Sequence, residues 1–340
     1  MKRLMKFLMT FLVSLTLPAA AQDIFLRDNL SRANVGDYIV TSQNRTYTAL
    51  IITSKFDQTV QIQEISVPEG RTPPDMTSWR EWIQQGAPGN TGWLAYEVAP
   101  QNGQLLECFS FTKNAWCDIP SADSFLGILL NLRLTPLETK FRRRMGGGDN
   151  SRGYWQPKLF VNGQALAGAG FNAYQTRWPN DGSELGGKQI EMYLPAQQGN
   201  YPSYFPYWMQ ISGAVGKARM RIIDSGTGIQ PPASAMPKRP LAFMNNGRFE
   251  NGNLRLFLKT RPYYSEFHLV AIDAKNAGQQ IPLGFSLKPT DQPDVMLVEV
   301  PQKELAAKLS AGGSYRFLMQ PWRHPNAAAQ TADPLRWEPQ

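Results

Sequence analysis

Thr46-Tyr47-Thr48-Ala49-Leu50-Ile51 puts Tyr47, Ala49 and Ile51 on one side of an extended chain, because successive side chains of a strand point to opposite faces. Val60, Ile62 and Ile65 follow beyond the Asp57-Gln58 turn, so the two stretches are predicted to pair antiparallel. Short strand-like runs return at Trp93 to Val98, Leu105 to Phe111, Lys158 to Val161, Phe171 to Trp178, Gln189 to Leu194, Trp208 to Ile211 and Ala218 to Ile223. Composition agrees. With 42% hydrophobic residues over 340 positions the chain can bury a core, which excludes disorder as its main state. Only 18% of residues are charged, and 28 Gly and 26 Pro favour many short elements joined by turns. The fold class expected is mainly β, with an N-terminal antiparallel β-rich domain.

One or two short helices interrupt it. Ser78 caps a stretch running to Gln85, with Glu81 three residues on and Gly86 and Pro88 closing it. Ser124 to Leu130, capped by Asp123, carries Phe125, Leu126, Leu129 and Leu130 at helical spacing, and Pro136 closes the Leu132–Leu134 segment after it.

The N-terminus carries Lys2, Arg3 and Lys6, an apolar stretch from Phe7 to Leu17, then Pro18 and Ala19-Ala20-Ala21. That three-part pattern is expected to be a secretory signal peptide (residues 1–21) cleaved after Ala21. The apolar stretch is too short to cross about 30 Å of hydrocarbon, and the mature chain is expected to have no transmembrane span. Cleavage removes three basic residues from the formal charge of +8, leaving about +5, far short of a nucleic-acid footprint. The expected location is periplasmic, extracellular or at the cell surface.

Cys108 and Cys117 are the two cysteines. If a short loop centred on Thr112 and Lys113 joins two strands, they face each other, and in an oxidising compartment they are expected to form a disulfide. A redox-catalytic pair would be C-x-x-C, a different spacing.

Between Ser225 and Pro240 four prolines and small residues mark the best boundary, so 22–225 is read as the first domain and 226–240 as a linker. Beyond it, Leu254, Leu256 and Leu258 alternate with Arg255, Phe257 and Lys259. Glu266 to Asp273, Leu283 to Leu287, Val295 to Val300, a helix from Gln302 to Leu309, and Tyr315 to Met319 follow. Within this part, Leu309-Ser310-Ala311-Gly312-Gly313-Ser314-Tyr315-Arg316-Phe317 resembles the tyrosine corner of fibronectin type III and immunoglobulin-like sandwiches. Ala311 stands where that turn usually has Pro. The resemblance implies a small Ig-like β-sandwich over 241–323. Residues 324–340, rich in Ala, Pro and Gln, are expected to be a loosely held tail.

Several chemistries are discounted. His268 and His324 are the only histidines, far apart in sequence and without clustered Cys, so no metal site and no cofactor are expected. A Ser-His-Asp hydrolase lacks its G-x-S-x-G. Ser110-Phe111-Thr112-Lys113 fits S-x-x-K but lies in the cysteine hairpin. Gly182 to Lys188 fits G-x-x-x-x-G-K, but Gln189 replaces the hydroxyl that would hold magnesium. Asp224-Ser225-Gly226-Thr227 resembles the active-site loop of aspartic proteases. That chemistry needs two such carboxylates, and a strand running into a turn is the ordinary reading.

Two regions stand out as binding candidates. Arg142, Arg143, Arg144 and Arg152 flank a glycine loop and could meet a phosphate, sulfate or carboxylate. Tyr201, Tyr204, Tyr207 and Trp208 crowd a short segment that could line a sugar or peptide groove. The leading expectation is a non-enzymatic cell-envelope module that binds a protein or polysaccharide partner, an anionic group included, and no nucleic acid. The alternative is a secreted hydrolase of a glycan or peptide with Asp181, Glu184, Glu191 or Asp224 as acid and base, which requires two carboxyls about 5–9.5 Å apart across a cleft.

Overall fold

The computed structural model describes residues 24–56, 58–117, 125–145, 153–196, 199, 201–213, 216–230, 236–261, 263–292 and 294–339. Residues 1–21, expected to be a signal peptide, and Asp57, Asp123, Ser124 and Arg152 lie outside the described residues. The chain is mainly β, as expected, with large antiparallel sheets.

Twelve of the described strands form one antiparallel sheet. From edge to edge they run Ile24–Phe25, Arg133–Pro136, Phe171–Arg177, Gln189–Pro195, Trp208–Gly213 and Gly216–Gly226, then Tyr38–Gln43, Thr46–Lys55, Val60–Pro68, Gly92–Ala99, Gln104–Ser110 and Ala115–Trp116. The central seam joins strands distant in sequence: Gly216–Gly226 pairs with Tyr38–Gln43, with Gly226 opposite Tyr38.

Both faces of the middle strands are buried, which explains their density in apolar residues. Ile39, Ile52, Val60, Ile62, Tyr96 and Val98 join the larger core, to which Leu26 and Leu30 of helix Leu26–Leu30 and Leu126, Leu129 and Leu130 of helix Phe125–Asn131 also belong. Tyr38, Val40, Ala49, Ile51, Ile65 and Val67 form a second core with Trp82 and Ile83. Those two belong to helix Trp79–Gln84, whose first turn is capped as predicted, the Ser78 hydroxyl accepting from the Glu81 amide at 3.1 Å.

Residues from Ala242 onward build two further sheets around a separate core. One pairs Ala242–Phe243 and Arg248–Glu250 with Asn253–Lys259, then Val295–Val300, then Ser286–Pro289. The other runs Asn276–Leu283, Phe267–Asp273, Ser314–Pro321, with Ala329–Gln330 and Leu335–Arg336 both on the last of these. At the turn before Ser314 the Tyr315 hydroxyl accepts from the Ser310 amide at 2.9 Å, and both Leu309 and Tyr315 are buried.

Two expectations need correction. The described residues of 324–340 are not a loose tail: they supply the last two strands, Ala329–Gln330 and Leu335–Arg336, and Trp337 is 1% exposed. Its amide donates to the Gly313 carbonyl and its carbonyl accepts from Gly312, both at 2.8 Å. Alternation was hidden because small Ala and polar Thr331, whose hydroxyl accepts from the Phe317 amide, fill the inward places. The described part of 226–240 also buries more than its composition suggests, since Ile229 and Met236 pack into the cores of the large sheet. Lys238 meets Glu97 at 2.8 Å, and Arg239 meets Glu107 at 2.7 Å while lying over the Trp116 ring.

Candidate functional site

Strand parity builds the site. Glu191 and Tyr193 point to one face of Gln189–Pro195 and Ile190, Met192 and Leu194 to the other; Tyr193 is itself 1% exposed and belongs to the same core cluster as those three. Register then brings Gln175 directly opposite Glu191, and Trp208 opposite Tyr193. The basic segment crosses this face after the single turn Thr139–Phe141, anchored by the Leu137 amide on the Ala173 carbonyl at 2.8 Å.

Arg143 is the keystone. Its Nε and a terminal nitrogen grip the Glu191 carboxylate at 2.9–3.1 Å, a bidentate fork in which both groups are largely shielded from solvent. The guanidinium carbon sits 4.3 Å over the Trp208 ring. Trp155, Tyr193 and Trp208 meet one another edge-on with centroids 5.2–5.6 Å apart, and the Trp155 amide donates to the Arg143 carbonyl at 2.8 Å. The Tyr193 hydroxyl lies 3.2 Å from Glu191; burial and then that carboxylate push its pKa up to about 12.

Beside this platform lies an open groove of about 320 Å³ lined by Leu137, Phe141, Gln175, Gln189 and Glu191. Phe141 is 63% exposed, a large apolar side chain left to solvent. Glu191 is the one acid among the lining residues, and Arg143 holds it.

The other arginines of the run are engaged as well. Arg142 Nε donates to the Leu137 carbonyl at 3.3 Å, and Arg144 lies over the Tyr154 ring with a hydrogen bond to its hydroxyl at 3.2 Å. The aromatic segment divides: Tyr204 and Tyr207 are buried core residues, Tyr201 packs edge-on to Tyr207, and Trp208 underlies Arg143.

The remaining acids occupy structural positions. Asp181 closes its own turn, accepting from Trp178 Nε1 and the Ser183 amide, both at 2.9 Å, and Glu184 is exposed. Asp224 is 1% exposed and accepts from the Tyr38 hydroxyl at 3.1 Å and the Gly163 amide at 2.8 Å. Next to it, the Ser225 hydroxyl donates to the Phe160 carbonyl at 2.6 Å and the Tyr207 hydroxyl to the Pro202 carbonyl at 2.9 Å. Asp224 and Ser225 thus latch the Leu159–Val161/Gln164–Leu166 hairpin onto the sheet.

Burial holds the Asp224 carboxyl above the ordinary carboxylate pKa, against the lowering effect of its hydrogen bonds. The folded state therefore binds this proton more tightly than the unfolded chain, and the contribution of Asp224 to stability grows as pH falls from neutral through the folded pKa to about 4. Asp224→Asn is expected to remove that slope. Urea unfolding of both proteins across this range checks it; parallel pH profiles would contradict it.

Cys108 and Cys117 stand opposite each other at the end of the Gln104–Ser110/Ala115–Trp116 ladder, the Cys117 amide donating to the Cys108 carbonyl at 2.8 Å. Both are thiols here, and burial and then the neighbouring sulfur raise the pKa of Cys108.

Arg143, Glu191 and Trp208, singled out from sequence on three separate grounds, meet in one cluster. Phe141, Trp155, Gln175, Gln189 and Tyr193 were missed. Period-two parity from Glu191 would have marked Gln189 and Tyr193 as its face-mates.

A protein-family model described as CT021 protein matches residues 48–167, which takes in the flank of the large sheet from within Thr46–Lys55 to Ala115–Trp116, together with Arg133–Pro136 and the arginine run, and stops short of Glu191 and Trp208. Among solved structures, the 2.0 Å resolution structure of the hypothetical protein CT021 from Chlamydia trachomatis is similar. It is 18% identical, the match covers 64% of this chain and 98% of that chain, and the TM-score is 0.47. No curated protein matches.

Proposed function

We propose that this chain is an exported cell-envelope protein that acts as a non-enzymatic binding module for a protein or polysaccharide partner. The observation that carries the reading is the groove: an exposed phenyl ring and two glutamines beside a rigid Arg143–Glu191–Trp208 platform, with a single acid that is already paired. Acid–base hydrolysis of a glycoside requires a second carboxyl facing the first, so this lining favours holding a ligand over cleaving it. The second unit adds support by analogy of fold. Counting its broken first and last strands as one each, its strands pair first-second-sixth-fifth and fourth-third-seventh-eighth, the order of immunoglobulin-type sandwiches, with a buried tyrosine at the matching corner.

Export also bears on the cysteines. In an oxidising compartment, two thiols directly opposite each other in a hairpin close to a disulfide. Fractionation of expressing cells is expected to recover a chain beginning at Gln22 outside the cytosol, lighter by two hydrogens than the reduced mass, and retained by envelope extracts without turnover of their polymers. An intact chain starting at Met1 in the cytosol with both thiols free would overturn the export reading. Polymer hydrolysis abolished by Glu191→Gln would overturn the binding one.

A further inference from the structure

Granting the binding role proposed above, on which it rests, we propose that the groove between Phe141 and the Gln175–Gln189–Glu191 face takes an uncharged saccharide unit of a longer glycan. The lining of the groove carries no unpaired charge, which suits a neutral ligand. Arg143 and Glu191 neutralise each other in a bidentate pair, while Arg142, donating to a backbone carbonyl, and Arg144, bonded to Tyr154, keep their charge but are not among the lining residues. Glu191 already accepts from Arg143 through both oxygens and from the Tyr193 hydroxyl, so the polar contacts left for a ligand come chiefly from Gln175 and Gln189.

The polar groups form a small planar array. Gln175 faces Glu191 across the ladder, and Gln189 is two residues along on the same face, so their stems are spaced at about 5 and 7 Å. Each amide offers both a donor and an acceptor, which suits a hydroxyl, itself donor and acceptor at once. Phe141 supplies the complementary surface. A sugar ring has an apolar face of axial C–H groups and a rim of hydroxyls, so the phenyl ring can cover the face while the amides meet the rim. The rim array stands on paired strands, so little ordering is needed on binding. The volume of about 320 Å³ suits one or two sugar units in an open site.

The test titrates full-length mature protein with four probes: cellohexaose, chitohexaose, maltohexaose and, as the anionic comparison, hexagalacturonate. Binding is read by calorimetry and by the fluorescence of Trp155 and Trp208. At least one neutral hexamer is expected to bind and hexagalacturonate to bind more weakly. Phe141→Ala and the double variant Gln175→Ala/Gln189→Ala are each expected to weaken the best probe about tenfold with an unchanged melting temperature, as all three side chains lie at the surface. No binding of any neutral hexamer at millimolar concentration, a preference for hexagalacturonate, or affinity indifferent to these variants would overturn the proposal. Retention of the same variants by envelope extracts separates the two claims: undiminished retention with no sugar binding removes the saccharide and leaves the binding module, with a protein as partner.

Discussion

Trp337→Ala is expected to lower the stability of the C-terminal sandwich by about 3–5 kcal/mol, the cost of removing a fully buried large aromatic. The ring lies in the core with Phe249, their centroids 5.1 Å apart, and its backbone is pinned to Gly312 and Gly313. The indole nitrogen has no acceptor among the described residues, so the loss is one of packing and not of a hydrogen bond. Trp337→Phe should therefore retain much of it. Calorimetry, with hydrogen exchange of the Tyr315–Met319 amides as a local probe, measures both variants. A loss under about 1 kcal/mol for Trp337→Ala would mean that the last strand contributes little to the sandwich.

Lys238→Met is expected to cost about as much, roughly 3–5 kcal/mol, by a different route. Glu97 is 0% exposed and receives Lys238 Nζ at 2.8 Å together with the Thr59 hydroxyl and the Gln61 amide. The ammonium also faces the rings of Tyr263 at 4.5 Å and Phe56 at 5.2 Å, so one cation ties the connecting segment to both units. Methionine keeps the stem and removes the charge, leaving a carboxylate in a dry site with its counter-ion gone. Glu97→Gln in the Lys238→Met background is expected to recover part of the loss, because a neutral amide can still accept from Thr59. Equilibrium unfolding of the two single variants and the pair yields the coupling directly; simple additivity would remove the ion pair as the cause.

Where alternation meets a one-sided environment, sequence pattern is enough. Leu254, Leu256 and Leu258 are all fully buried, as their alternation with Arg255, Phe257 and Lys259 requires. The pattern blurs between Tyr38 and Val67, where Ile51 and Ile52 are adjacent yet both buried, one on each face of a sheet covered on both sides. It fails for Asn276–Leu283, an edge strand exposed along most of its length that contains Gly278 and Pro282 and offers no apolar rhythm. Helix Leu26–Leu30 was missed because five residues span little more than one turn, too few for periodicity.

The site shows the same division. Arginine runs, aromatic clusters and acids announce themselves in one dimension. That Arg143 would take Glu191 as its partner, or that Asp224 would hold the Gly163 amide, depends on strand register between distant segments. Gln175 and Gln189 carry no local signal, since a glutamine in a groove and one in solvent read alike.

The central seam has a kinetic consequence. Tyr38–Gln43 can pair with Thr46–Lys55 as soon as that hairpin is made, but its other neighbour is Gly216–Gly226. Closing that contact requires nearly two hundred intervening residues to be brought into one loop, whose entropy must be lost before the contact is gained. The large sheet should then assemble as two separate meanders that dock late. In pulse-labelled refolding, the amides of Gly216–Gly226 that bond across the seam would be the last of the sheet to gain protection.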